Sequence, residues 1–316
     1  MEEKIKVGIS ACLLGEKVRY DGGHKLDHYL RDTLGRFVEW VPICPEVECG
    51  LPVPREAMRL VGFAASPRLV TSRTGVDYTR QMREWAEVRL ARLEKEGLCG
   101  FVFKSRSPSS GMRGVKVYGS SGSPTNAGIG IFAAAFMQRL PLVPVEDDGR
   151  LHDPALRENF IERVFVFRRW KRFSSGKGSA GRLVDFHTRH KLLVMSHSPR
   201  YYSVLGKLVA HAGKDRRENL HEEYQGLLME GLRLMATVRK HVNVLQHMMG
   251  YFKKQLTPAE KREMLEVIED YRNGLVPLVV PIVLLRHYVR KYDEPYLKGQ
   301  YYLDPHPAEL MLRNHV

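Results

Sequence analysis

The chain has 316 residues, 43% of them apolar, which is enough to form the cores of two domains. It contains no run of 18 apolar residues, so we expect no membrane-spanning helix. Its four cysteines are too few for a secreted disulfide framework, and its first residues lead into a predicted strand without a secretory signal. These features predict a cytoplasmic protein.

Positive charge is concentrated in the second half of the chain. The net charge is +14, and residues 151–316 carry 28 Lys and Arg against 18 Asp and Glu. Eleven of the 13 histidines also lie there. A basic, histidine-rich half indicates a polyanionic partner, for which nucleic acid is the first candidate.

The first half alternates between strand-like and helix-like segments. Strands are predicted at 5–11, 37–43, 98–104 and 142–145, and helices at 27–34, 79–96 and 129–139. Such alternation predicts an α/β N-terminal domain with a parallel sheet covered by helices. We place this domain at residues 1–150.

Two long segments of this half are predicted to be loops, at 45–76 and 105–128. Long loops in a compact domain are usually functional or disordered. The second begins where a strand ends, beside Lys104 and Arg106, and runs towards the N-terminus of a helix. Both features suit a bound phosphate, so we predict that Lys104 and Arg106 bind substrate.

Three of the four cysteines follow predicted strands. Cys12 comes after the first strand, and Cys44 and Cys49 come after the second. Loops beyond the carboxyl ends of parallel strands form the ligand crevice of such sheets, so three thiols beside Glu46 predict a metal or cluster site. A zinc site and three unrelated buried cysteines remain alternatives. Cys99 begins its strand and is expected at the opposite end.

Residues 151–180 are predicted to form a basic connector. Its Arg168–Arg172 cluster, which contains Trp170, resembles a nucleic-acid contact, but an amphipathic helix over 154–170 explains the same pattern equally well. A flexible tail is expected at 174–181.

The last part of the chain, residues 181–316, is predicted to be an all-α C-terminal domain. Helical spacing occurs at 183–195, 201–212, 218–240, 258–271 and 277–292. His187, His190 and His197 lie on or near the first of these helices. Without an accompanying carboxylate or cysteine cluster, this pattern favours packing, capping or phosphate contact over metal binding.

Specific blocks of the sequence resemble a known family. GISACLLGEKVRYDGGHK, VPICPEVECGLPVPRE and FKSRSPSSGMRGVKVY are similar, in residues and in order, to the signature blocks of the thiouracil desulfurase (TudS) family. The remainder, including LVDFHTRHKLLVMSHSPRYYSVLGKLVA, resembles the YbgA-like domain that often follows it.

The resemblance implies an oxygen-sensitive [4Fe–4S] cluster held by three cysteines, with one iron free to take the sulfur of a thiolated uracil. The implied reaction is non-redox and yields uracil and sulfide. Cys12 and Cys44 match cluster ligands, Glu46 matches an acid/base group, and Ser107 matches a serine placed at the substrate.

One position departs from the family pattern. Where short family members read SPSCG and use that cysteine as the third ligand, this chain has Ser110. A serine hydroxyl is a poor cluster ligand, so we assign Cys49, on the facing loop, as the third ligand. If Cys99 is the ligand instead, the predicted strand placement is wrong.

The leading hypothesis is a cluster-dependent desulfidase acting on 4-thiouracil, its nucleotide, or 4-thiouridine in tRNA. Its basic helical domain would recruit the RNA, and no protein partner is predicted. The rival hypothesis is a non-enzymatic nucleic-acid-binding protein with a zinc or sensing iron–sulfur site.

Overall fold

The computed structural model describes residues 4–119, 123–176, 179–212 and 219–315. The chain divides into two compact units, Met1–Asp153 and Pro154–Val316. The strands of the first unit are β1 (Ile5–Ser10), β2 (Val38–Ile43), β3 (Met58–Phe63), β4 (Ser66–Thr71), β5 (Phe101–Phe103), β6 (Val115–Tyr118), β7 (Pro124–Gly128) and β8 (Val145–Asp147). Its helices are α1 (Pro45–Glu48), α2 (Thr79–Glu96) and α3 (Ile131–Arg139).

A four-stranded parallel sheet forms the centre of the first unit, in the order β2-β1-β5-β8. Strand β1 is buried at almost every position, as expected where both faces of a sheet are covered. At Gly8 a Cβ atom would lie 2.3 Å from the ring of Phe101, so only glycine allows these strands to pack as they do. The prediction of a helix-covered parallel sheet is confirmed.

The two segments predicted as long loops are not loops, and this prediction is wrong. Residues 45–76 contain α1 and the antiparallel hairpin β3–β4, and residues 105–128 contain β6 and β7. Together they form a second sheet, ordered β4-β3-β6-β7. These strands are short and largely exposed on one side, so they lack the continuous apolar pattern of β1. Residues 120–122 lie outside the described chain.

Among the residues described, the regular elements of the second unit are all helices, which confirms the predicted all-α domain. Its helices are α4 (Pro154–Ser174), α5 (Ala180–His197), α6 (Pro199–Ala210), α7 (Leu220–Arg233), α8 (Val238–Met249), α9 (Pro258–Arg272), α10 (Val279–Lys291) and α11 (Pro295–Lys298). The helix predicted at 218–240 is replaced by α7 and the start of α8, separated at 234–237; residue 218 lies outside the described chain.

Helix α4 buries its aromatic side chains. Trp170 is 2% exposed and stacks on Tyr224 with ring centroids 5.2 Å apart, and Phe173 is also buried. These rings therefore belong to the core and do not offer a surface for stacking bases, whereas Arg172 on the same helix is exposed. Part of the predicted tail at 174–181, residues 177–178, falls outside the described chain.

Among the described helices, none combines the length and apolarity needed to cross a bilayer.

Candidate active site

A cavity of about 390 Å³ lies beyond the carboxyl ends of β1, β2 and β5. We call it the strand-end cavity. The side chains discussed below that line it are Cys12, Arg19, Cys44, Glu46, Arg55, Lys104, Arg106, Ser107 and Ser110. Six residues predicted from the sequence as site residues are thus brought to one place, which is where open parallel sheets bind ligands.

Cys12 reaches the cavity because β1 ends in a short 3-10 turn, Ala11–Leu14. The turn is closed by Gly15 in a left-handed conformation (φ 96°), which glycine adopts without strain. The thiol is buried, and burial raises its pKa to about 11, although the nearby charges of Lys104 and Arg19 oppose the shift.

Cys44 and Glu46 enter from β2. Cys44 precedes α1, whose first residue, Pro45, has the fixed φ that begins a helix. The Cys44 Sγ lies 3.5 Å from Oε2 of Glu46. Burial, reinforced by the Glu46 carboxylate, raises the pKa of the Cys44 thiol to about 12. A thiol beside a carboxylate is therefore protonated at neutral pH, and its proton would be released when a metal binds.

Two residues that the sequence analysis did not assign hold Glu46 in place. Ser109 donates a hydrogen bond of 2.6 Å from Oγ to Glu46 Oε1. The Arg55 guanidinium lies 3.8 Å from Glu46 Oε2 and also donates to the carbonyl of Val18 at 3.0 Å. The sequence pattern did not point to either residue, because Arg55 lies in an irregular segment and Ser109 lies among several serines.

The serines form a tight turn. The Oγ of Ser107 accepts hydrogen bonds from the backbone N–H groups of Ser109 and Ser110, and Ser107 also lies 3.0 Å from the Ser109 hydroxyl. The turn packs against the N-terminus of α3, where Phe132 N–H donates to the Ser109 carbonyl. Gly130 permits this approach, because a Cβ there would lie 2.4 Å from the Ser109 backbone. The hydroxyls of Ser107 and Ser110, which both line the cavity, are thereby held in place.

Lys104 and Arg106 connect the cavity to a second, more open groove. The Lys104 ammonium donates to Asp148 Oδ2 at 2.8 Å, while Arg106 is exposed and has a left-handed backbone (φ 58°) that is rare for residues other than glycine. We call the second space the basic groove. Its charged lining residues are Arg59, Lys104, Arg106, Arg113, Lys116, Asp147 and Arg150.

Cys49 and Cys99 do not line the strand-end cavity. The Cys49 thiol donates to the carbonyl of Glu46 at 3.3 Å and packs against the apolar cluster that includes Val115 and Ile131. Cys99 is fully buried before β5, away from the carboxyl ends of the strands. Ser110 does line the cavity. The assignment of Cys49 as the third ligand therefore stays a prediction.

The thiols of the cavity are donors that soft metals and iron–sulfur clusters prefer. Among the described residues, the only group of three His, Cys, Asp or Glu ligand atoms within 4.8 Å of one another is Glu158, Glu162 and His306 in the second unit. A single zinc ion needs its ligands that close, whereas a cluster distributes them over several irons. By the chemistry of their thiols, Cys12 and Cys44 suit a soft metal or an iron–sulfur cluster. Of the two candidates for a third donor, Ser110 lines the cavity and Cys49 does not.

Comparison with known proteins agrees with the division of the chain. Residues 7–148 match the family model of 2-thiouracil desulfurase, and residues 191–307 match that of a protein of unknown function, DUF1722. The chain is 31% identical over 158 residues to the uncharacterized protein YbgA of Escherichia coli (strain K12), which corresponds to 50% of this chain and 94% of YbgA. The chain belongs to the YbgA-like family, with a 2-thiouracil desulfurase domain preceding its DUF1722 domain.

Two further similarities concern shorter proteins. The uncharacterized protein YbbK of Bacillus subtilis (strain 168) is 29% identical over 136 residues, or 41% of this chain and 88% of YbbK. Among solved structures, the [4Fe-4S]-dependent thiouracil desulfidase TudS is 34% identical; the match covers 49% of this chain and 97% of TudS, with a TM-score of 0.40.

Proposed function

We propose that the first unit is a [4Fe–4S]-dependent, non-redox desulfidase that converts a thiolated uracil to the corresponding uracil and sulfide. One observation carries the proposal: two thiols, Cys12 and Cys44, and the carboxylate of Glu46 face one cavity at the carboxyl ends of the central strands. None of the four cysteines, all of which lie in the described part of the chain, forms a disulfide, which suits a reducing cytoplasm.

In this proposal Cys12 and Cys44 hold the cluster, and Cys49 supplies the third thiolate. When bound, the cluster would supply a soft Lewis acid for the sulfur of the substrate. The cations beside the cavity, Lys104 and Arg55, offset the negative charge that deprotonated thiols bring into a buried site.

In this proposal Glu46 acts as the general base. Its Oε1 is held by Ser109, and its Oε2 faces Arg55 and the Cys44 thiol, so the carboxylate has a fixed orientation before substrate arrives. From this position it would take a proton from the water that attacks the ring carbon bearing sulfur. Ser107, which also lines the cavity, would supply a hydroxyl for the polar edge of the uracil ring.

The basic groove favours a substrate that carries phosphate. Six of its seven charged lining residues are cationic, and Arg59, Arg106, Arg113 and Lys116 have no carboxylate partner among the described residues. Because the groove shares Lys104 and Arg106 with the strand-end cavity, phosphates lying there would place an attached base in the cavity. We therefore propose a 4-thiouridine nucleotide or 4-thiouridine in tRNA as the substrate, with the second unit, which contains the predicted helical domain at 181–316, recruiting the RNA.

The test is anaerobic purification followed by measurement of iron, acid-labile sulfide and the visible spectrum, with turnover on 4-thiouracil and on 4-thiouridine-bearing tRNA. We expect a brown protein that releases sulfide from at least one substrate. Cys12→Ala and Cys44→Ala should lose iron, while Cys99→Ala, a matched buried cysteine, should keep it. A colourless protein with stoichiometric zinc would overturn the proposal in favour of a non-enzymatic nucleic-acid-binding protein.

A further inference from the structure

The second unit contains a cavity of about 710 Å³ that is lined by four arginines. We call it the arginine-lined cavity. The residues used below are Arg169, Arg172, Arg182, Arg189, His190 and Tyr301. Among the described residues lining it, Asp185 is the single acid, and it pairs with Arg189 at 3.1 Å. The cavity is therefore strongly cationic, and its ligand should be an anion.

The N-terminus of α5 adds to this positive potential. Ser179, Gly181 and Arg182 at the start of this 18-residue helix line the cavity. The backbone N–H groups of a first helical turn, together with the helix dipole, favour phosphate. Arginine is also the side chain best matched to phosphate oxygens, because its guanidinium donates in a planar fork. Charge and geometry thus both indicate a phosphate group.

Two polar atoms in the cavity wall lack a hydrogen-bond partner among the described residues. The Arg169 guanidinium stacks 3.9 Å from the Tyr301 ring and donates to the Pro305 carbonyl, but its Nη1 has no hydrogen-bond acceptor. His190 is 1% exposed, and its Nε2 is likewise unpaired. Buried polar groups are almost always hydrogen-bonded, so two orphans in one wall indicate contacts made by a ligand.

The two orphans differ in what they need. His190 Nδ1 lies 2.7 Å from the Phe186 carbonyl, which requires the proton to be on Nδ1 and leaves Nε2 as an acceptor. Burial and the nearby charge of Arg169 hold the pKa of His190 well below its usual value, so the ring stays neutral. A ligand bound in the cavity would therefore have to accept a hydrogen bond from Arg169 Nη1 and donate one to His190 Nε2.

We infer that the arginine-lined cavity binds a ribonucleotide unit of RNA, with a phosphate oxygen at the arginines and the ribose 2′-hydroxyl donating to His190. RNA supplies both groups close together, because the 2′-hydroxyl and the 3′-phosphodiester are attached to neighbouring ribose carbons, whereas DNA lacks the hydroxyl donor. The inference deepens the proposed RNA recruitment by the second unit, because it predicts selection of RNA over DNA and locates it at one histidine.

The experiment uses the full chain and RNA without sulfur, so that binding is measured apart from desulfidation. A tRNA-derived RNA hairpin and its DNA counterpart are compared by fluorescence anisotropy at several salt concentrations. Arg172→Gln with Arg182→Gln should weaken RNA binding by roughly tenfold or more and reduce the salt slope. The matched control, Lys253→Gln with Lys254→Gln, removes two exposed charges away from the cavity and should change affinity less.

His190 is tested separately. His190→Leu should abolish the preference for RNA over DNA, and His190→Gln, which retains an acceptor oxygen, should keep part of it. Thermal melting verifies folding; if His190→Leu does not fold, the wild-type protein with hairpins 2′-O-methylated at successive positions should show one position that weakens binding. The inference would be overturned if the double arginine variant and the double lysine variant weakened RNA binding equally. It would also be overturned if folded His190→Leu kept the full preference for RNA over DNA. Turnover of free 4-thiouracil by the wild-type protein is measured in parallel. Its absence would count against the proposed desulfidase activity and not against RNA binding by the arginine-lined cavity.

Discussion

Ser109 donates a 2.6 Å hydrogen bond to Oε1 of Glu46, and this contact joins two segments that are 63 residues apart in the chain. Ser109 is fully buried, so its hydroxyl has no access to solvent. The bond fixes the carboxylate on the side of the strand-end cavity that faces Cys44. Ser109 therefore acts as a positioning residue for the proposed general base.

We expect Ser109→Ala to lower turnover on 4-thiouracil by roughly tenfold, since a hydrogen bond to a charged group contributes about 1.5 kcal/mol. Iron content and the visible spectrum should match those of the wild type, because no cluster ligand is altered. Cys99→Ala serves as a control for a small buried substitution in the same unit. Unchanged turnover in Ser109→Ala would show that Glu46 needs no such support.

Glu46→Gln should keep the cluster and lose turnover by about 10²-fold or more, because the amide has nearly the shape of the carboxylate but cannot accept a proton. Iron and acid-labile sulfide are measured on the same samples. Glu48→Gln, on the same short helix but paired with Arg89 at 3.2 Å, is the matched control and should remain active. Activity near wild type in Glu46→Gln would exclude the proposed base.

The sequence predicted best those elements whose burial is continuous or strongly periodic. Helix α2 was predicted with the bounds that the structure has, because its apolar residues recur on one face and Gly97 ends it in a left-handed conformation. The hairpin β3–β4 was missed because its strands expose one side and are interrupted by Pro67.

The candidate site was predictable where it depends on strand ends. Cys44 follows β2 directly and Cys12 lies in the turn after β1, so topology alone brings both to the same end of the sheet. Ser109 and Arg55 could not be found in this way, since their contacts with Glu46 depend on the folding of irregular turns.

The third cluster donor can be assigned by paired substitutions. If Cys49 is the ligand, Cys49→Ala should lose iron and Ser110→Ala should retain it, because a thiolate binds iron far better than a hydroxyl. Introducing Ser110→Cys into Cys49→Ala should then restore iron, since residue 110 lines the cavity. The measurements are iron per chain and visible absorption under anaerobic conditions. Iron retained in Cys49→Ala but lost in Ser110→Ala would make the serine hydroxyl the third donor.

Buried histidines should make the second unit sensitive to acid. Burial lowers the pKa of His187, which contacts the Tyr224 hydroxyl at 3.1 Å, from 6.5 to about 4. Between these pH values the unfolded chain binds a proton that the folded chain does not, so the free energy of unfolding falls as pH decreases, by about 1.4 kcal/mol per pH unit for one such histidine. His187→Gln should reduce this slope in urea titrations followed by circular dichroism. Equal slopes in the wild type and His187→Gln would contradict the prediction.

The basic groove should distinguish substrates that carry phosphate from those that do not. Arg113 and Lys116 line the groove but not the strand-end cavity, and both are exposed. Replacing both with Gln should raise KM for 4-thiouridine monophosphate and for 4-thiouridine-bearing tRNA, by roughly threefold to tenfold, since each exposed charge contact contributes up to about 1 kcal/mol. KM for free 4-thiouracil and the iron content should not change. The effect should diminish as salt rises, because the lost contacts are solvent-exposed charges.

Arg80→Gln with Arg83→Gln, on the exposed face of α2, removes the same net charge and should leave all three KM values unaltered. If the groove variant impaired turnover of free 4-thiouracil as strongly as that of the nucleotide, the groove would be a structural support of the cavity and not a phosphate site.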